Sequence, residues 1–439
     1  MQSGAPEAKR RIVAQARAGG RYWSSSLTDT LVLGAGIVGV CVAIHLQRRG
    51  RNVLLVDRKP PGRETSYGNA GIIQKEGVRP RAFPRDLGEL LRITAGKGLD
   101  TRYDLSALPG YASPLAQYWW HSAPERYRKI VAEYAPLIAH SVSEHADLIA
   151  AAGAESLIAK QGWMVIFRTP QRRDAFFADA ERDSREHGVG IARLDGAALA
   201  KAEPALRIPM AGALHWTDPW TVRDPGGLVA AYAALFTRMG GTIATGDAQT
   251  LKQNGTGWSV DTADGPQSAT EAVIALGPWS RAATEKLGYR LPLFIKRGYH
   301  REYRQTEAGT LNHPLLDAET GFLMAPMQRG VRITTGAEFA GIDAPINATQ
   351  IDGSESAARQ MIDLGERLDP QPWLGARPCT PDMKPIIGRA PNHPNLWFAL
   401  GHAHHGLTLG AVTGRMLAEL LVGETPFVDA AAFSATRFM

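Results

Sequence analysis

Cysteine is nearly missing from this sequence: Cys41 and Cys379 are the only two among 439 residues. They lie far apart, with neither metal-ligand spacing nor the makings of a disulfide framework, which suits a reducing compartment. Long apolar runs are also missing. No stretch approaches the ~18–20 residues of a membrane-spanning helix, and windows such as Ala272–Leu276 are only strand-length. A strong excess of one charge is lacking once the first residues are set aside. Lys9, Arg10, Arg11, Arg17 and Arg21 against the single acid Glu7 put +4 of the net +6 into residues 1–27, leaving +2 for the other 412. A nearly neutral body lacks the footprint of a nucleic-acid binder. The expectation is a cytoplasmic protein, at most peripherally attached to the inner face of a membrane. The basic, Ser-rich leader is expected to be disordered; its composition also fits a transit peptide or an upstream start codon.

Hydrophobic residues make up 44% and charged residues 21%, a balance that permits a large packed core. The pattern opens with a β-prone run, Thr30–Leu33, followed at once by Gly34-Ala35-Gly36-Ile37-Val38-Gly39 and an apolar helix that stops at Arg48-Arg49-Gly50. Val53–Val56 is a second buried-type strand, ending at Asp57. This β-α-β unit carries a phosphate-binding logic. The first glycine permits the turn, the second admits a pyrophosphate, and the third lets helix and strand pack. Asp57, 23 residues after Gly34, can accept from a ribose diol. Arg58 and Lys59 beside it could take a 2′-phosphate, so the motif alone leaves NAD(P) and FAD open. Further on, residues 84–150 read as mostly helical, with Trp119 and Trp120 as core or interface anchors. Asp224-Pro225 opens a capped helix. Residues 350–368 read as a helix, Pro370–Gly388 as a proline-rich connection, and Gly406–Leu421 as a closing helix whose Gly410, Ala411 and Gly414 allow close approach to a neighbour.

Four segments narrow the choice. Thr65-Ser66-Tyr67-Gly68-Asn69-Ala70-Gly71-Ile72 is a small-residue loop that lets backbone amides reach a planar ligand. Ala275-Leu276-Gly277, followed by Trp279, ends a buried strand over which a cofactor can pass. Gly375-Ala376-Arg377-Pro378-Cys379-Thr380-Pro381-Asp382 holds a planar cation suited to a carboxylate. Gly401-His402-Ala403-His404-His405-Gly406-Leu407-Thr408 enters the final helix, whose N-terminal dipole favours negative charge. The H-x-H-H spacing lacks the partners of a metal site, and none is expected. Over residues 28–425 these segments resemble the D-amino-acid oxidase/dehydrogenase superfamily of FAD enzymes, most closely the bacterial D-amino-acid dehydrogenase small-subunit type.

The resemblance implies an α/β fold. A Rossmann-type FAD-binding domain from residues 28–80, 223–290 and 375–439 would carry an interleaved α+β substrate domain, from 81–222 and 291–374, with a mostly antiparallel sheet. It implies FAD held through the residues of the first β-α-β unit and the three cofactor-facing segments. Cys379 falls away from the position of the flavin-linking cysteine of sarcosine-oxidase-like relatives, so non-covalent FAD is expected. Leu276 stands where the family often has Ala or Thr. Arg377 is the expected substrate-carboxylate clamp, and Tyr299, His300 and His402 are further candidates on the site wall. The implied reaction is hydride transfer from the α-carbon of a D-amino acid, or a cyclic imino acid such as proline or hydroxyproline, with electrons passed to a quinone or protein acceptor. A peroxide-producing glycine/sarcosine-type oxidase and a non-catalytic electron-transfer subunit are the alternatives.

Overall fold

A computed structural model of the chain describes residues 28–88, 90 and 99–439; the basic leader, residues 1–27, lies outside them. The N-terminal unit forms as the pattern predicts: strand Thr30–Leu33, helix Ile37–Arg48 and strand Val53–Asp57. These strands sit at the centre of an eight-stranded sheet. Thr242–Asn254, Val53–Asp57, Thr30–Leu33, Glu271–Ile274 and Leu396–Leu400 lie side by side in parallel. Both faces of this parallel layer are covered. Val32, Leu55 and Val273 pack into one core cluster, and Leu31, Leu33, Val56 and Ile274 into another. Side chains alternate between faces, so burial on both sides demands the unbroken apolar runs seen in the sequence.

Strand order reverses beside Thr30–Leu33, whose neighbours are Val53–Asp57 on one side and Glu271–Ile274 on the other. The crevice beyond the carboxyl ends of these strands is where this architecture takes ligands. Helix Ile37–Arg48 starts there, and closing helix Gly406–Val422 lies against it. A Cβ at Gly410 or Gly414 would come within 2.7 or 2.6 Å of Ile37 or Cys41, so the expected close approach is real.

A second sheet has eleven strands, mostly antiparallel, built around the long strand Phe294–Gln305. That strand pairs with Gly330–Thr334, Ala337–Phe339, Leu364–Arg367 and Trp373–Cys379. Two elements differ from the sequence expectation. The helix expected over 350–368 runs Thr349–Met361 and gives way to strand Leu364–Arg367. Arg359 donates to the carbonyls of Leu364 and Gly365, and Gly365 sits where a Cβ would come within 2.3 Å of the Arg304 carbonyl. The stretch read as a connection, Pro370–Gly388, contains strand Trp373–Cys379, seven residues in continuous register with Phe294–His300. Sheet pairing overrides a local pattern in which proline argues against a strand. Trp119 and Trp120 are not core: they are 44% and 52% exposed, with Arg85 and Arg126 guanidinium carbons 4.0 and 3.6 Å from their ring centroids.

Candidate active site

Where the carboxyl ends of the parallel strands meet the large sheet, a cavity of about 1170 Å³ opens. That exceeds the ~300–1,000 Å³ of a common small-molecule pocket. At one end, Gly34 turns with φ +106°, and a Cβ there would lie 2.4 Å from the Ala275 carbonyl oxygen. A Cβ at Gly39 would lie 1.8 Å from the Gly34 carbonyl oxygen, so helix and turn touch through backbone alone. Gly36, Ile37 and Val38 face the cavity with the first turn of their helix, whose amides are free of helical partners. Ala35 and Gly39 face away from it; the Ala35 amide donates instead to Asp57 Oδ2 at 2.6 Å. Asp57 Oδ1 accepts from the Lys59 amide at 3.0 Å, which fixes the carboxylate on the cavity wall with lone pairs to spare.

The basic neighbours of Asp57 are engaged elsewhere. Arg58 and Lys59 both pair with Glu64, at 3.0 and 2.9 Å, and are about half exposed. Arg58 still lines the cavity, with its guanidinium carbon 4.2 Å from the Trp279 ring centroid; Lys59 does not. Ala275, Leu276, Gly277 and Trp279 continue this wall, joined by Asp247, Ala248 and Gln249, three residues the sequence pattern does not mark; Gln249 Nε2 donates to the Trp279 carbonyl at 3.4 Å.

The small-residue loop forms the middle of the cavity. Thr65, Ser66, Asn69, Ala70 and Ile72 line it, whereas Gly71 packs against the Val222 carbonyl. Thr65 Oγ1 donates to the Ala376 carbonyl at 3.1 Å, and Ser66 Oγ accepts from the Ile37 amide at 3.0 Å. Arg332, invisible as a site residue in the sequence, anchors the loop: its Nη1 donates to the carbonyls of Tyr67 and Asn69 at 3.0 and 2.7 Å, while Nη2 meets Glu302 at 2.7 Å. Of the final segment, His402, Gly406 and Leu407 line the cavity, and Gly401 and Thr408 stand behind. Thr408 Oγ1 donates to the Ile72 carbonyl at 3.3 Å and accepts from the Gln74 amide at 3.2 Å, tying helix to loop.

At the far end, Arg377 is on the wall, as expected. Its guanidinium lies over Gly298, where a Cβ would come within 2.4–2.7 Å of it, and reaches the carbonyls of Gly336 at 2.8 Å and of Arg297 and Thr335 at 3.3 Å. Among the described residues no carboxylate pairs with it, and burial pulls it down to about 10. Tyr299 also lines the cavity, but its hydroxyl donates to Glu338 at 2.6 Å and accepts from Arg297 at 2.9 Å, so it belongs to a buried ion-pair network. His300 is not on the wall. It stacks on Trp373, centroids 4.9 Å apart, and burial holds it neutral, pushed down to about 2. Trp373 lines the cavity in its place, seated where Gly68 and Gly375 leave room.

All three histidines of the run line the cavity; His402 Nε2 meets Thr413 Oγ1 at 2.9 Å, and His405 Nδ1 meets the Tyr134 hydroxyl at 2.6 Å. Burial lowers all three, His402 to about 3 and His405 to about 4. Two further groups lacked any motif. Lys296 lines the cavity beside Arg377, its cross-strand partner. Glu76 accepts from Gln74 and Trp163 at 2.8 and 2.9 Å, and burial raises it to about 7. Both cysteines are buried, and neither lines the cavity.

The model of the family described as FAD-dependent oxidoreductase, DAO, matches residues 29–420. This chain belongs to that family. Its relatives include a D-amino-acid oxidase of Bradyrhizobium diazoefficiens, 30% identical over 93% of this chain and 98% of its own length. A D-amino acid dehydrogenase of Cereibacter sphaeroides is also 30% identical, over 93% and 95%. Among solved structures, the glycine oxidase of Geobacillus kaustophilus superposes with a TM-score of 0.72 at 21% identity, covering 94% of this chain and 99% of that one. The iminodiacetate oxidase of Chelativorans sp. BNC1 gives 0.70 at 21%, covering 92% and 98%. The cofactor of this DAO-family oxidoreductase is FAD, and the cavity suits it. The bare glycine turn and helix start fit a pyrophosphate, Asp57 fits a ribose, and the Thr65–Ile72 loop fits a flat ring system.

Asp57→Ala should weaken FAD retention by about 1–3 kcal/mol, the usual result of leaving buried polar groups unpaired. The Ala35 amide loses its acceptor along with the ribose. Titration of FAD into the deflavinated variant measures this, and an unchanged dissociation constant would place the ribose elsewhere.

Proposed function

We propose that this DAO-family enzyme oxidises the bond between the α-carbon and nitrogen of a D-amino acid, cyclic imino acids included, and delivers the electrons to a quinone or another acceptor rather than chiefly to oxygen. The observation that carries this reading is Arg377: a half-buried guanidinium on the cavity wall with no acid of its own among the described residues. A planar fork of that kind suits an α-carboxylate. The curated relatives at 30% identity are named for D-amino-acid oxidation, which supports the substrate class. Bound FAD supplies the two-electron acceptor.

The chain's own residues supply position and dryness. Arg377 would hold the carboxylate, so that the α-C–H takes one orientation over the Thr65–Ile72 loop. Trp373, Leu407 and Ile72 give the site apolar walls that exclude water. Positioning of this sort accounts for a large share of rate without a dedicated base. The amine must react neutral, and the nearby cation at Arg377 disfavours its protonation. Removal of two electrons and two protons leaves an imine; water converts it to a 2-oxo acid and ammonia, or leaves a pyrroline from a cyclic substrate.

The reading divides the chain into cofactor-binding segments, 28–80, 223–290 and 375–439, and substrate-binding segments, 81–222 and 291–374. Among the described residues no helix is long and apolar enough to cross a membrane. The test is anaerobic mixing with paired D- and L-amino acids and prolines, followed by reoxidation. D-Isomers should bleach the flavin, and a quinone or dye should restore it faster than oxygen. Peroxide formed at the rate of dye reduction would reassign it as an oxidase. No bleaching by any amine would leave an electron-transfer subunit.

A further inference from the structure

Lys296 has no role in the reading above, and its setting is unusual. It is 4% exposed, lines the cavity, and forms no ion pair with any described carboxylate. Among the described residues its ammonium makes one hydrogen bond, a 3.3 Å contact to the Tyr118 hydroxyl, out of three N–H donors. Three rings surround the ammonium, those of Tyr118, Phe294 and Phe339, at 4.3, 5.7 and 5.8 Å. Such a cage favours a cation over a neutral amine. A buried cation without an anion is costly unless something pairs with it.

A second cation, the half-buried Arg377, stands beside Lys296. Lys296 and Arg377 are directly opposed on neighbouring antiparallel strands, so both project from one face. Their charged ends then diverge. The guanidinium lies over Gly298, two residues along the strand in one direction, while the ammonium reaches towards Phe294, two residues in the other. One carboxylate seated on Arg377 therefore leaves Lys296 unanswered. Arg81, exposed at the rim of the same cavity, adds to the positive field felt by both. Five acids line the cavity: Asp57, Glu64 and Asp247 stand towards the glycine-turn end, Glu76 is held by Gln74 and Trp163, and Asp100 packs against Gly336 near Arg377, but no ion pair joins any of them to Lys296.

We propose that the substrate carries a second carboxylate, on its side chain or on its nitrogen, and that Lys296 is the specificity residue that receives it while Arg377 holds the first. This rests on the amino-acid oxidation reading. It narrows that reading to an amino or imino dicarboxylate.

The test separates the two readings by using anions that cannot be oxidised. Succinate, malonate and propionate are titrated calorimetrically into the FAD-loaded enzyme and into Lys296→Met, a variant of similar length that removes a buried charge. The wild-type enzyme should bind a dicarboxylate about 30-fold or more tightly than propionate. Lys296→Met should erase that preference while keeping its flavin and binding propionate within a few-fold of wild type. Equal affinity for the three anions in the wild-type enzyme overturns the proposal. So does a variant that loses propionate and succinate equally, or sheds its flavin. In parallel, D-aspartate and D-glutamate should bleach the flavin at far lower concentration than D-alanine. Dicarboxylate preference without bleaching by any amino acid would sink the oxidation reading and leave the second anion seat standing. Efficient bleaching by D-alanine with no succinate preference would do the reverse.

Discussion

Arg377→Ala is expected to lose about 2–5 kcal/mol of substrate binding, the cost of truncating one partner of a buried charge pair, or some 30- to several-thousandfold in affinity. Arg377→Lys should recover little. Arg377 is held flat by three backbone carbonyls and by the bare Cα of Gly298, a seat shaped for a planar fork. The lysine would also place a second ammonium beside Lys296. Flavin content should persist in both variants, because the FAD-facing loop is anchored elsewhere. The measurement is anaerobic flavin reduction against substrate concentration, beside flavin per chain. Normal saturation in Arg377→Ala would end the carboxylate assignment, and loss of folded protein would make the arginine structural.

Arg332→Met is expected to be the more damaging change to the protein as a whole. Arg332 and Glu302 are 3% and 1% exposed, and breaking a buried pair costs about 3–5 kcal/mol. The loss should fall near the lower end of that range, because Arg329 remains 2.8 Å from the Glu302 carboxylate. The change also removes the two bonds that fasten Tyr67 and Asn69 to the large sheet. Weaker FAD retention should therefore accompany the lower unfolding midpoint. Denaturant unfolding of the deflavinated protein isolates the first effect, and FAD titration the second. Unaltered FAD affinity in a destabilised variant would show that the loop keeps its shape without this anchor.

The parts legible in the sequence are those whose physics is local. The turn at Gly34, the helix start at Gly36 and the acid at Asp57 lie within one β-α-β unit, and each residue type answers a nearby steric or hydrogen-bonding need. The Asp224 cap is equally local: its carboxylate accepts from the Gly227 amide at 2.9 Å. Arg377 was legible only through resemblance. The missed residues depend on register between distant strands. Tyr299 and His300 share strand Phe294–Gln305 with Lys296, and only pairing with Trp373–Cys379 shows which of these residues meets the cavity. His300 lies opposite Trp373, whose indole takes the wall position. Arg332 reaches Tyr67 across 265 residues of chain, beyond any periodicity argument. Of the two places expected for Trp119 and Trp120, core and interface, the core is excluded: large aromatic rings suggest burial, whereas arginine stacking shelters these at the surface.

The contact between helices Ile37–Arg48 and Gly406–Val422 bears on how the chain is made. The first helix leaves the ribosome long before its cover, because the surface packed on it at Gly410 and Gly414 lies about 370 residues further along the chain. Its strand layer is incomplete for as long, since Glu271–Ile274 waits for Leu396–Leu400 on its outer edge. At roughly 5–20 residues per second, the nascent dinucleotide unit stands partly uncovered for on the order of 20–70 s. Cofactor capture is therefore expected late in biosynthesis, and truncation before the last helix should leave the apolar face of the first helix uncovered.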